Sequence, residues 1–224
     1  MDSLKVRTAV VGVGGAGCNV VSDIFWDMPS VDTIAVNTDR AAMENIDADR
    51  KMFICKSVTK GEGTKGDSML GRRCAQAHME EIREVLSEYD VVYIVAGMGG
   101  GTGTGAAPVI AEIAQGLDKV VSSILIDPFS FESSRTVVAK DGIARMRSVC
   151  PMTVVVENDL VLKRYPDSTM EDAFHAVNRS ISSYIGRHEE KVKRSFSEQI
   201  SNIGDLISDD KVPSSVSGKG IALN

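Results

Sequence analysis

Six short runs rich in valine and isoleucine alternate with helical patterns, and this alternation constrains the fold more than any other feature of the sequence. The runs lie at residues 6–13, 33–37, 52–55, 91–96, 120–126 and 153–157. Most are continuously apolar, which is typical of strands covered on both faces in a parallel sheet. Because parallel strands need crossover connections, the pattern predicts an α/β fold. We expect a doubly wound, Rossmann-like, mostly parallel six-stranded sheet with helices on both faces.

Helical patterns fall between and after these strands. Apolar spacing predicts helices at residues 67–88, 104–115, 134–149, 168–185 and 189–207. Ser168 and Glu171 fit a capping box at the start of the fourth helix. We expect a domain over residues 1–186, an extra amphipathic helix over 187–208 and, from its Ser, Gly, Asp and Lys content, a flexible tail over 209–224.

Composition excludes several classes of function. The net charge of −6 disfavours polynucleotide binding, and one Trp, four Tyr and six Phe are too few for a base-stacking platform. No apolar run approaches the roughly 18 residues of a membrane span, and no secretory signal is recognisable. We therefore expect a cytoplasmic protein that does not insert into membranes. The four cysteines are scattered, which favours reduced thiols in or near the core over zinc or disulfides.

A glycine loop, GVGGAGCN, follows the first strand at residues 12–19. Its glycines form a G-x-G-x-x-G pattern, in which the chain turns tightly and a phosphate can approach the backbone amides. Asp39 lies about 20 residues further on, where a dinucleotide-binding fold keeps its ribose-binding carboxylate. This loop taken alone suits an NAD-dependent dehydrogenase as well as other nucleotide-binding proteins.

A second glycine loop, GMGGGTGTG, lies at residues 97–105, directly after the fourth strand and before a helix. In a doubly wound sheet of the usual order the first and fourth strands are neighbours, so the two loops would face each other. Two sets of backbone N–H groups and helix N-termini suit a diphosphate or triphosphate chain, and the hydroxyls of Thr102 and Thr104 can add hydrogen bonds. No Walker motif is present, and Lys65 lies in a third glycine-containing loop without that context.

These loops resemble those of the tubulin/FtsZ superfamily, and most closely those of its FtsZ branch. The second loop and its helix, GMGGGTGTGAAPVIAEIA, are similar to the signature of that family. Further similar segments follow in family order, namely IAVNTD (34–39), DPFSFESSR (127–135), VVVENDLVL (154–162) and EDAFHAVN (171–178). The resemblance covers about residues 5–186. It implies that residues 1–186 are a GTP-binding domain that includes the start of the family's central helix.

The resemblance also implies roles for particular residues. The first loop would contact the phosphates of GTP or GDP through Gly14, Gly15, Ala16, Gly17 and Asn19. The second would cradle the β- and γ-phosphates through Gly99, Gly100, Gly101, Thr102, Gly103 and Thr104. Glu132 would reach the ribose, Arg135 the phosphates or sugar, Asn158 and Asn178 the guanine edge, and Phe174 the guanine face. We expect Gly103→Ala to weaken nucleotide binding without unfolding the protein.

Two features of the family have no recognisable counterpart in these 224 residues. One is a second, carboxyl-terminal domain. The other is an acidic loop that, in the family, reaches the γ-phosphate of the next subunit and positions the attacking water. The nearest carboxylates, Asp205, Asp209 and Asp210, are candidate catalytic residues acting in trans, with Mg²⁺ held through the phosphates.

The resemblance therefore implies an FtsZ-like cytoskeletal protein that binds GTP and GDP, assembles head to tail with GTP, and hydrolyses it slowly or only when assembled. Its partners would be guanine nucleotide and either further copies of itself in filaments or a full-length FtsZ relative. One alternative is a non-hydrolysing, nucleotide-dependent scaffold or regulator of such a relative, which the missing acidic loop favours. A remote alternative is an NAD-dependent dehydrogenase.

Overall fold

A six-stranded sheet forms the centre of the unit that residues 1–189 make up. The computed structural model describes residues 6–164 and 169–209, with side chains through residue 199. The strands are β1 (Thr8–Val13), β2 (Asp32–Asn37), β3 (Arg50–Phe53), β4 (Val91–Gly97), β5 (Val120–Asp127) and β6 (Thr153–Glu157). Their order is β3-β2-β1-β4-β5-β6, and every neighbouring pair is parallel. The predicted doubly wound fold is confirmed, and so is the expectation that the first and fourth strands are neighbours.

Helices connect the strands and cover both faces of the sheet. They are α1 (Gly14–Asp27), α2 (Arg40–Glu44), α3 (Lys56–Thr59), α4 (Ser68–Ala77), α5 (Met79–Ser87), α6 (Thr102–Gln115), α7 (Ser133–Val149), α8 (Asn158–Arg164) and α9 (Met170–Asp209). The short helices α2, α3 and α8 have no counterpart in the sequence predictions, because a helix of one or two turns carries little periodic signal.

The prediction of one helix over residues 67–88 is wrong, since α4 and α5 are separated at His78. The backbone of His78 leaves the helical region, with φ −108° and ψ 21°. Its Nε2 accepts a hydrogen bond of 2.8 Å from the backbone nitrogen of Cys55. Cys55 itself has a φ of 63°. The strand predicted at residues 52–55 is displaced by two residues, to Arg50–Phe53, and this hydrogen bond joins the turn after it to the break between α4 and α5.

The packing of α4 on α6 brings the second glycine loop (97–105) next to the glycine-containing loop at residues 61–66. Helix α6 has 12 of its 14 residues buried, and α4 packs directly on it. This packing requires glycine at Gly105, because a Cβ there would lie 2.0 Å from the carbonyl oxygen of Ser68. The close approach of the two helices brings the loop at residues 61–66, which precedes α4, to the start of α6.

The two helices predicted at residues 168–185 and 189–207 form the single helix α9. Ser168 lies outside the described residues, and the observed capping pair is Thr169 with Asp172. The hydroxyl of Thr169 donates to Asp172 Oδ2 (2.7 Å), while the backbone nitrogen of Asp172 donates to Thr169 Oγ1 (3.1 Å). This exchange gives α9 a fixed start.

The chain divides into two compact units, residues 1–189 and residues 190–224. The first holds the sheet, α1 to α8 and the amino-terminal half of α9; the described part of the second is helical. The domain boundaries at 186 and 208 stay predictions, and the predicted tail lies outside the described residues from 210 onward. None of the described helices is both long enough and apolar enough to cross a membrane.

Candidate nucleotide-binding site

A cavity of about 1260 Å³ opens at the carboxyl edge of the sheet, in the unit formed by residues 1–189. The loops that follow β1, β2, β4 and β5 form its walls, together with one face of α1 and the first turns of α9. Of the residues expected to bind nucleotide, all line this cavity except Gly17 and Thr104. The fold therefore collects in one place residues that lie far apart in the sequence.

The two glycine loops touch each other at the centre of the cavity. Gly14 has a φ of +72°, and a Cβ built on it would lie 2.8 Å from the backbone nitrogen of Gly103. Gly15 faces open space, because, apart from its chain neighbours and the backbone of its own helix, no described protein atom lies within 4 Å of the position that a Cβ would occupy. Helices α1 and α6 both begin here, and neither has an acidic residue in its first turn. Two uncompensated helix N-termini make this end of the cavity favourable for anions.

A cluster of threonine hydroxyls joins three loops beneath this cradle. The Oγ1 atom of Thr102 lies 2.6 Å from that of Thr38, which follows β2, and 3.4 Å from that of Thr64. All three side chains are buried. Thr102 therefore lines the cavity while its hydroxyl is engaged within the protein, and the cluster holds the loop containing Lys65 beside the second glycine loop.

Three residues expected to bind phosphate have packing roles in the structure. A Cβ at Gly17 would lie 2.3 Å from the carbonyl oxygen of Val95, so this glycine allows α1 to pack on β4. Thr104 is buried with its methyl group directed at Gly142 of α7, and its hydroxyl has no partner among the described residues. A Cβ at Gly103 would lie 2.4 Å from the carbonyl oxygen of Gly97. This close approach predicts that Gly103→Ala lowers stability, so its effect on folding has to be measured separately from its effect on nucleotide binding.

Glu132 and Arg135 lie on the side of the cavity formed by the loop after β5. Arg135 donates to Glu132 Oε2, and the other carboxylate oxygen of Glu132 accepts from the backbone nitrogen of Phe129 at 3.1 Å. A Cβ at Gly99 would lie 2.8 Å from that of Arg135, so the arginine stands against the second glycine loop. The pair thus places a cation next to the two glycine loops, with a carboxylate beside it.

The opposite end of the cavity is built from side chains of α1 and α9. Phe174 is 47% exposed, and its ring meets that of buried Phe129 edge to face at a centroid distance of 5.7 Å. Asn178, one turn further along α9, donates from Nδ2 to Oδ2 of Asp23 on α1, at 2.9 Å. An exposed aromatic face beside polar groups suits a planar heterocyclic base.

Two buried amide groups in the cavity wall have polar atoms without partners. Asn158, the first residue of α8, is 4% exposed, and its Oδ1 makes no hydrogen bond within the described structure. Asn37 at the end of β2 is 2% exposed, and its Nδ2 is likewise unpaired among the described residues. Buried polar atoms are normally satisfied, so these two atoms indicate where a bound ligand or water would donate or accept.

Carboxylates outnumber cations in the cavity lining. The acidic residues are Asp23, Asp39, Glu62, Glu132 and Glu171, and the lysine and arginine residues are Lys65 and Arg135. The ion pair between Lys65 and Glu62 raises the pKa of the lysine and lowers that of the glutamate, chiefly through their side-chain hydrogen bond. Both cations already have carboxylate partners, so a polyphosphate would need further positive charge.

The described residues contain no group of three or more His, Cys, Asp and Glu side chains that could hold a metal ion. A divalent cation in this cavity would therefore depend on ligand oxygens and water, as Mg²⁺ commonly does at phosphate sites. Asp205 and Asp209 belong to α9, but their side chains lie outside the described part, as does all of Asp210. Their catalytic role stays a prediction.

Sequence reasoning did not identify several cavity residues, notably Asp23, Asn37 and Thr64. Asp23 lies four residues after Asn19 and eight after Gly15, a spacing that puts the three on one face of α1. That spacing is the signal that could have found it. Asp39, which lies where a dinucleotide-binding fold keeps its ribose-binding carboxylate, lines the cavity and also caps α2, its Oδ1 accepting from the backbone nitrogen of Ala42 at 3.0 Å.

The fold and this site define a doubly wound α/β protein whose two glycine loops, after neighbouring strands, form a single anion cradle. The profile of the Tubulin/FtsZ family, GTPase domain, matches residues 7–166. Cell division protein FtsZ 2 of Haloferax volcanii is 37% identical over 180 residues, which cover 80% of this chain and 45% of that protein. Cell division protein FtsZ 1 of Pyrococcus horikoshii is 38% identical over 180 residues, which cover 80% of this chain and 48% of that protein.

Solved structures agree with these sequence matches. An FtsZ dimer from M. jannaschii superposes with a TM-score of 0.77 at 32% identity, covering 81% of this chain and 53% of that one. A GTPγS-bound protofilament of CetZ2 from Haloferax volcanii gives a TM-score of 0.72 at 28% identity. The match covers 81% of this chain and 57% of the CetZ2 chain. The chain belongs to the tubulin/FtsZ family. It spans about half the length of the relatives it matches, and family membership removes the dehydrogenase alternative.

Proposed function

We propose that this chain binds GTP and GDP in the cavity and acts as an FtsZ-like cytoskeletal protein. It assembles head to tail with GTP and hydrolyses GTP weakly or only when assembled. The observation that carries the proposal is the contact of the two glycine loops, Gly14 against Gly103, at the N-termini of α1 and α6. This double cradle offers backbone N–H groups from two sides to a chain of phosphates.

The remaining cavity residues fit the other parts of a guanine nucleotide. Arg135 lies beside the cradle, where it would contact phosphate or sugar. Glu132, which is held by Arg135 and the backbone of Phe129, would meet the ribose. Phe174 offers an exposed ring for stacking on the base. The unpaired Oδ1 of Asn158 is an acceptor for a base or ribose donor. Mg²⁺ bound to the phosphates would supply the positive charge that the lining lacks.

Assembly is supported by relatives and by exposed apolar side chains. The CetZ2 structure is a GTPγS-bound protofilament and the M. jannaschii FtsZ structure is a dimer. In this chain Val58 and Phe131, which follow the carboxyl ends of β3 and β5, are 61% and 65% exposed. Apolar side chains exposed on the edge that holds the cavity suit a contact with the next subunit. A contact between unlike faces yields an open filament.

The non-hydrolysing scaffold remains the second candidate, because one sequence observation favours it. The segment IGDLISDD carries Asp205, Asp209 and Asp210 but not the spacing of the family's acidic loop. A phosphate cradle alone binds the ground state and the transition state with similar groups, so it favours affinity over rate. A group that acts in trans can contribute about 10³- to 10⁵-fold to GTPase rates.

Equilibrium binding of GTP, GDP, ATP and NAD to the intact chain tests the proposal. We expect stoichiometric binding of GTP and GDP and much weaker binding of ATP and NAD, because a mismatched base leaves buried polar groups unpaired. Equal affinity for ATP and GTP would contradict it. GTP turnover measured against protein concentration then separates the two candidates, since a catalytic group donated in trans makes turnover per subunit rise with concentration.

A double variant, Asp209→Ala with Asp210→Ala, assigns the group that acts in trans. We expect it to lose concentration-dependent turnover while it keeps GTP binding. Turnover that is brisk, independent of concentration and unaffected by the double variant would place the catalytic group within a single subunit. The complete absence of turnover, together with tight GTP binding, would favour the scaffold.

A further inference from the structure

The base end of the cavity is closed by one hydrogen bond between two distant helices. Asp23 on α1 and Asn178 on α9 are 155 positions apart in the sequence, and Asn178 Nδ2 donates to Asp23 Oδ2 at 2.9 Å. Both side chains are half-buried and both line the cavity. Among the described residues no lysine, arginine or histidine forms an ion pair with Asp23. Its carboxylate is therefore held by a neutral amide, with its other oxygen left to accept from a ligand.

The distance along α1 from Gly15 to Asp23 matches the distance from the phosphates to the base of a nucleotide. Gly15 begins the cavity face of α1 at the phosphate cradle, and Asp23 lies eight residues further on the same face. Eight residues at the rise of an α-helix correspond to about 12 Å. A nucleotide whose β-phosphate lies at Gly15 would extend along this face, past Asn19, and bring its base to Asp23 and Phe174.

The chemistry of a carboxylate at this place selects among bases. Guanine presents two adjacent donors, N1–H and the 2-amino group, and a carboxylate accepts from both. Adenine presents an unprotonated N1 at the same edge, which a carboxylate repels. The amide of Asn178 could face either base, since it carries both a donor and an acceptor. The hydrogen bond to Asp23 occupies one amide N–H and fixes the orientation of the pair.

We propose that Asp23 is the residue that selects guanine, accepting hydrogen bonds from N1–H and the 2-amino group, while Asn178 holds its carboxylate and Phe174 stacks on the base. This inference rests on the proposed guanine-nucleotide function and assigns the specificity of that same site. Hydrogen bonds to a charged acceptor are stronger than neutral ones, so Asp23 contributes more to base discrimination than the amide beside it.

The first test uses the unmodified protein and a series of triphosphates that differ only in the base. We expect inosine triphosphate, which lacks the 2-amino group, to bind about tenfold more weakly than GTP. Xanthosine triphosphate, which has a carbonyl at that carbon, should bind about 100-fold more weakly because the carbonyl faces the carboxylate. Equal binding of GTP and inosine triphosphate would overturn the assignment of Asp23. Failure of every nucleotide to bind would overturn the proposed function with it.

The second test replaces the carboxylate of Asp23 by a neutral amide. Asp23→Asn is close to isosteric and should lower GTP affinity by about 10- to 100-fold while raising that for xanthosine triphosphate, whose carbonyl can accept from the new amide. The matched control is Asp27→Asn, because Asp27 lies one turn further along α1, is exposed and does not line the cavity. Asp27→Asn should leave both affinities unchanged.

The double variant Asp23→Asn with Asn178→Asp exchanges the two groups across their hydrogen bond. It should recover part of the preference for GTP, because a carboxylate again faces the base. If Asp23→Asn keeps the GTP preference of the unmodified protein, the inference is wrong while the proposed function stands. If Asp23→Asn and Asp27→Asn raise all nucleotide affinities equally, the effect is the loss of one negative charge and the inference is also wrong.

Discussion

The two ends of the cavity, proposed to bind the phosphates and the base, differ in what forms them. At the phosphate end, backbone meets backbone, with Gly14 against Gly103 and a buried threonine cluster beneath. At the base end, side chains carried by α1 and α9 meet across a single hydrogen bond, beside a half-exposed Phe174. The first end is inseparable from the core, whereas the second can be altered with little effect on the fold. Variants at the two ends should therefore separate stability from binding.

The largest effect is expected for Gly103→Ala at the phosphate end. The added Cβ would lie 2.4 Å from the carbonyl oxygen of Gly97, so the backbone of β4 or α6 must shift. We expect the free energy of unfolding to fall by about 3 kcal/mol, measured by urea denaturation without nucleotide. A loss below about 1 kcal/mol would show that the loop adapts, and it would contradict the claim that this end of the cavity is part of the core.

Gly15→Ala is the matched variant in the same loop. Its methyl group meets no described protein atom, but it projects into the space at the N-terminus of α1. We expect the free energy of unfolding to stay equal or rise by up to about 1 kcal/mol, as for other glycine-to-alanine changes in helices. The affinity for GTP and GDP should fall about tenfold, or about 1.4 kcal/mol. Unchanged affinity in a calorimetric titration would place the phosphates elsewhere.

Phe174→Ala tests the base end. Because the ring is 47% exposed, we expect the free energy of unfolding to change by less than about 1 kcal/mol. Loss of stacking should weaken GTP and inosine triphosphate equally, by about tenfold, since stacking does not depend on the base edge. Phe131→Ala is the control, because Phe131 is 65% exposed and does not line the cavity. A loss for GTP alone would mean that Phe174 reads the edge of the base.

Lys65→Ala should have a smaller effect, confined to the triphosphate. Lys65 lines the phosphate end, while its ion pair with Glu62 is exposed and contributes little to stability. We expect GTP affinity to fall a few-fold at low salt and less at high salt, with GDP affinity nearly constant. Lys60→Ala is the matched control, as Lys60 also has a positive φ but lies outside the cavity lining. Equal losses for GTP and GDP would argue against a contact near the γ-phosphate.

The smallest effect is expected at Asp127, which ends β5 and does not itself line the cavity. Burial, with the nearby carboxylates of Glu157 and Asp159, raises the pKa of Asp127 above its ordinary value. The folded state therefore holds this proton more tightly than the unfolded state, and the associated stability is lost as pH rises through the folded pKa. Asp127→Asn should raise the free energy of unfolding near neutral pH, by up to about 1 kcal/mol. The gain should disappear at acidic pH; a constant gain would exclude titration as its cause.

The sequence alone determined the sheet and the phosphate end. Continuous valine and isoleucine runs are local signals for buried parallel strands, and all six strands were found, the third displaced by two residues. The glycine loops follow β1 and β4 directly, and the usual strand order makes these strands neighbours, so a local motif and a topological rule sufficed to bring Gly14 and Gly103 together.

Only the tertiary structure decided which side chains face the cavity and which pack. Gly17 and Thr104 belong to the motifs yet pack against β4 and α7, since a motif does not specify which atoms a neighbouring element will approach. At the break between α4 and α5, the side chain of His78 accepts a hydrogen bond from Cys55, 23 positions away, which no local pattern reports. Asp23 meets Asn178 because α1 and α9 converge at one edge of the sheet. Periodicity reports the face of a helix but not its partner, and the partner is set by the packing of the entire domain.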